Sequence, residues 1–73
     1  MITNHKAAKE ILEKLESSIR LLNEVILIAQ HKCDSDEYET FKKEAGVFIG
    51  NIDYKLIMPI HNMHPDLAPE AIK

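Results

Sequence analysis

From Ala8 to Ala29, apolar residues recur at Ala8, Leu12, Leu15, Ile19, Leu22, Ile26 and Ala29, in steps of four and three. Such steps keep one side of a helix apolar over three heptads. Lys6 and Glu10, Lys9 and Glu13, and Arg20 and Glu24 stand four apart on the polar side. Pairs at that spacing contribute about 0.2–0.5 kcal/mol each. Thr3 or Asn4 supplies a capping oxygen at the start. His31 and Lys32 place positive charge where the helix dipole favours it. No glycine or proline intervenes, so the pattern predicts one helix over residues 3–32. At 1.5 Å per residue it is roughly 40 Å long.

The stripe is uneven. Before Ser18 it is narrow, with Ile11 alongside. Beyond it, Leu21, Val25, Leu27 and Ile28 join the seam residues and leave little polar surface. A single neighbouring helix does not cover so wide a face. The C-terminal tail or a second copy of the chain is expected to cover the rest.

Cys33-Asp34-Ser35 reads as a turn. Asp34, Ser35 or Asp36 can cap the next helix, and Asp34 with Glu37 fits a capping box. So short a break favours an antiparallel hairpin. The second stripe is Tyr38, Phe41, Ala45, Phe48 and Ile52, continuing to Leu56 and Pro59. Its phase is kept across Gly46 and Gly50, which predicts one helix over residues 35–58. The alternative ends a helix at Gly46 and restarts it after Asn51. Gly46 and Gly50 also form a GxxxG spacing, which permits close helix approach. Pro59 is expected to stop the helix. An irregular, proline-rich tail follows, with Ile60, Met63, Leu67 and Ile72 as apolar anchors and Pro65 and Pro69 as stiffeners. Pro69 can open one last helical turn.

The expected fold is therefore all-α: a long antiparallel helical hairpin with an irregular tail, in one domain spanning residues 1–73. A chain of 73 residues builds only a marginal core by itself. Two hairpins packed as a four-helix bundle remedy this, and twofold dimers are the commonest assembly. A homodimer is expected.

Charge narrows the function classes. Nine Lys and Arg against twelve Asp and Glu give a net charge of -3, with no basic stripe. Direct nucleic-acid binding needs clustered positive charge and is not expected. The longest apolar run, Val25 to Ala29, is far short of the roughly 20 residues a membrane helix needs. The opening MITNHKAAKEIL does not read as a signal peptide. Cys33 is the single cysteine and makes no internal disulfide. A free thiol suits a reducing compartment, so a cytoplasmic location is expected.

Candidate chemistry is sparse. Hairpin geometry places His5 near His61 and His64, with Asp66 close by. Imidazoles and a carboxylate suit a transition metal. The spacing is not the HExxH of metalloproteases, and the plainer reading has His61 and His64 capping a helix end or lying exposed. Cys33 and His31 lack oxyanion donors and an orienting partner for nucleophilic work. Asp34, Asp36, Glu37 and Glu39 read as dipole partners and lack the spacing of a calcium loop. No set of residues supplies an acid, a base and an electrophilic site together, so catalysis is not expected.

The stretch GVFIGNIDYKLIMPIHNMHPDLAPEAIK resembles the C-terminal part of small bacterial all-helical proteins. The matching residues are Gly46, Gly50, Pro59, His64, Pro65, Asp66, Leu67 and Pro69. The resemblance implies a soluble bacterial protein and carries over no activity. The leading functional expectation is a non-enzymatic adaptor, regulator or accessory subunit. It would work through contacts with itself or another protein and need no cofactor. The alternative is a metal-binding protein using His5, His61, His64 and Asp66.

Overall fold

A computed structural model describes residues 1–69 of the chain. Helices are the regular elements among these residues, and no strand forms, so the fold is all-α. Helix α1 spans His5–Lys32 and α2 spans Ser35–Ile52. A π turn, Asp53–Ile57, leads into α3, Met58–Met63, and a 3₁₀ turn, Pro65–Leu67, follows. Ile72 and the turn expected after Pro69 lie outside the described residues. The caps explain the helix starts. Asn4, not Thr3, caps α1, its Oδ1 accepting the Ala7 N–H at 2.9 Å. Asp34 does the same for α2, accepting the Glu37 N–H at 3.0 Å. Each satisfies one of the donors that a helix start leaves unpaired.

The chain turns at Cys33 and Asp34 and runs back along α1, a hairpin-like course. Its Cα extents are 44 × 21 × 16 Å. That is an elongated shape, about twice as long as it is wide. The radius of gyration, 14.8 Å, exceeds the roughly 11 Å of an ordinary domain of this length.

As expected, α2 runs unbroken through both glycines, and the alternative break at Gly46–Asn51 does not form. A Cβ placed on Gly46 or Gly50 meets nothing within 4 Å, so the chain makes no close approach there either. The helix tolerates about 1 kcal/mol per glycine because Tyr38, Ala45, Ile49 and Ile52 on the same element are partly covered.

Nor does Pro59 end the helical path, which continues to Met63. The π turn accounts for this. The Met58 N–H reaches back five residues to the Asp53 carbonyl. Pro59 then follows a turn already widened and re-registered, where its missing N–H and its ring disrupt least. The inserted residue also moves the stripe by one position. Leu56 and Pro59 were expected inward. Instead Ile57 and Ile60 are buried and Leu56 is exposed.

The core lies at the end where the start of α1 meets α3. Ala8 and Leu12 pack with Ile57 and Ile60. Ile2, Leu15, Ile19, Ile52 and Leu67 close around them, each partly buried. Leu67 thus anchors the segment after α3, as expected, whereas Met63 is exposed. Fully burying a Leu or Ile contributes about 1.5–3 kcal/mol, and Leu12, Ile57 and Ile60 are the large side chains buried here. The expected Lys–Glu and Arg–Glu pairs of α1 do not close. Long exposed side chains gain little from being held together in water. Among the described residues the ion pair within 4 Å is His5–Asp66.

Candidate functional site

Asn4 starts α1 so that His5 is its first residue, on the side facing the end of α3. His64 is the residue at which α3 stops, and Pro65 turns the chain so that Asp66 follows at once. The two segments meet. The His5 Nε2–H donates to Asp66 Oδ2 at 2.7 Å. The His5 and His64 rings stand edge to face, centroids 5.4 Å apart and planes at 75°. His64 is only 8 % exposed, and its Nε2 lies 2.6 Å from the Ile2 carbonyl oxygen. A carbonyl only accepts, so that nitrogen carries the proton. Neutral His64 therefore keeps its lone pair on Nδ1.

One ligand atom from each of His5, His64 and Asp66 lies within 4.8 Å of the others. His5 and Asp66 are solvent-exposed and His64 is buried, so the cluster has a fixed floor and an open rim. The hydrogen bond from His5, chiefly, holds the Asp66 carboxyl below the usual carboxylate range. Three of the four residues expected at a metal site are thus together. His61 is the exception. It sits on α3, outside the group, with Nε2 enclosed and unpartnered. The π turn helps explain its exclusion: it sets α3's phase so that Ile57, Ile60 and His64, spaced three and four, face inward. The Ile2 carbonyl was not foreseen, because residue type does not mark a backbone acceptor. Cys33 is exposed at the opposite end of the molecule.

A second feature is mainly apolar, with Glu44 and Asn51 at its groove. Around α1, at 100° per residue, Leu22, Val25, Leu21 and Ile28 cover a continuous arc of about 120°. Leu22 is half-buried, whereas Val25, Ile28 and Leu21 are 42 %, 56 % and 62 % exposed. On α2, Phe41 and Phe48 remain largely exposed, and with Leu22 and Ala45 they line an open groove between the helices. The stripe expected to be the interior of the second helix is therefore only half covered.

Among the described residues, no helix is long and apolar enough to cross a membrane. Comparison with protein-family models, curated proteins and solved structures gives no match to this chain.

Proposed function

We propose that the chain is a non-enzymatic helical subunit that acts through protein–protein contact, and that its first partner is a second copy of itself. One observation carries this reading: the chain leaves far more surface in water than a monomer of its size. A folded monomer of 8.4 kDa exposes about 4,600 Å², and this chain exposes 5581 Å². The excess, about 1,000 Å² by that scaling, is of the order that one partner contributes to a stable interface, about 800 Å². Much of it is large apolar side chains on one arc of α1 and beside the groove of α2. Packing that face on its twofold mate gives a four-helix bundle, which buries Val25, Ile28, Phe41 and Phe48. Such a dimer would serve as an adaptor or accessory subunit.

Light scattering coupled to size exclusion tests this with Val25→Asp and Phe48→Asp. The wild type is expected to elute with twice the chain mass. Each variant is expected to elute as a monomer that keeps its helical signal, since both side chains lie outside the core of one chain. Variants that remain dimeric would refute the assignment of the face.

A further inference from the structure

We infer that His5, His64 and Asp66 form a binding site for a divalent transition-metal ion of the zinc type. The inference goes beyond the contact function proposed above and rests on a different part of the molecule. Three donors converge, one nitrogen or oxygen from each residue, all within 4.8 Å. Two imidazoles and one carboxylate are a common protein ligand set for such ions, with a fourth position left to water or another ligand.

The orientation of His64 is the more specific feature. Metal-binding histidines usually donate the ring nitrogen away from the metal to a carbonyl or carboxylate, which fixes tautomer and ring direction. His64 has such a partner, donating from Nε2 to the Ile2 carbonyl at 2.6 Å. Its Nδ1 is thereby left as the donor. The ring is buried, so it is held in place before a metal arrives. His5 and Asp66 stand on the open side and share one proton at 2.7 Å. Tetrahedral zinc holds its ligand atoms roughly 3.3 Å apart, so this pair needs to open by only about half an ångström, which exposed side chains allow. The metal takes the place of the bridging proton. That proton goes to water if His5 is imidazolium, or to His5 Nδ1 if the ring is neutral. A helix-end clasp needs only one imidazole and one carboxylate. The second imidazole, with its free nitrogen set by the Ile2 carbonyl, is what a clasp alone leaves unexplained.

A bound ion would join the first turn of α1 to the segment after α3. Binding would then stabilise the fold, because the unfolded chain lacks the assembled site.

The test is titration of tag-free protein with Co²⁺, followed by Zn²⁺, reading visible absorption and melting temperature. Uptake of one Co²⁺ per chain with tetrahedral absorption, displaced by Zn²⁺, is the expected result. Zinc at about a hundredfold excess over its Kd is expected to raise Tm by roughly 10–20 °C. His5→Gln and Asp66→Asn change exposed side chains and are expected to fold. Both should weaken cobalt binding more than tenfold and abolish the zinc-dependent rise. His31→Ala, at the other end of α1, should alter neither. No cobalt spectrum at micromolar metal, or a spectrum retained in both site variants, would overturn the site. Oligomeric state is read separately, so failure here leaves the contact function standing.

Discussion

The two ends of the molecule are built from similar apolar stripes but are finished differently. Where the start of α1 meets α3, Leu12, Ile57 and Ile60 are sealed by the π turn and by Leu67 behind it. In the half nearer the Cys33–Asp34 turn, Ala29 is the one buried apolar residue among those described, and Leu21, Ile28 and Phe48 stay more than half exposed. Both halves have two helices. The difference is a third element, present at one end and missing at the other. Two helices cover each other along a seam and nothing more. A stripe wider than a seam is satisfied only when something lies across it.

This contrast sets the order of expected effects. Ile60→Ala strikes the sealed end and should be the most damaging, lowering unfolding free energy by about 2–5 kcal/mol. Urea denaturation would report it at every protein concentration, since the contact lies within one chain. Leu67→Ala removes a half-buried side chain that closes the same core. A loss of roughly 1–2 kcal/mol is expected, less than for full burial. If L67A changed nothing, the segment after α3 would not be sealing the core and the contrast between the ends would fail. Gly46→Ala probes the open half in the other sense. A Cβ there meets only open space within the chain, so alanine should stabilise the dilute, dissociated protein by about 0.5–1 kcal/mol. A decrease in dimer affinity on the same change would sharpen the contrast by placing the second copy's helix against that glycine.

The smallest effect concerns pH. The folded Asp66 carboxyl is held below its ordinary value, first by the hydrogen bond from His5. A lowered pKa means stability that is present above the unfolded carboxyl value, about 4, and lost as pH falls through the folded one. The difference in urea midpoint between wild type and Asp66→Asn should persist down to about pH 4 and shrink below it. The exposure of both side chains keeps that difference small. An undiminished difference at lower pH would mean that the ionised pair is not its source.

Much of the architecture was legible in the residues. The steps of four and three in α1, the capping Asp34 and the short break after Lys32 are local signals, and the helices follow them. The path beyond Ile52 was not legible. A π turn has no residue signature of its own. It arises where Pro59 must be accommodated while Ile57 and Ile60 both find the core, a condition visible only once α1 is in place. Pro59 therefore read as a stop, and Leu56 as core. The same shift governs the histidines. Hairpin geometry grouped His61 with His64, but the phase of α3 turns them apart. His5, His64 and Asp66 were legible as neighbours because the turn at Cys33 fixes which ends meet. The Ile2 carbonyl was invisible, since any residue there offers one.

Sedimentation equilibrium of the wild-type protein over a range of micromolar concentrations tests the central claim, that the open half is finished by a second copy. A mass of twice 8.4 kDa that falls toward one chain on dilution, with the Val25→Asp variant monomeric throughout, is the predicted result. A cooperatively folded species of a single chain's mass at every concentration would contradict it.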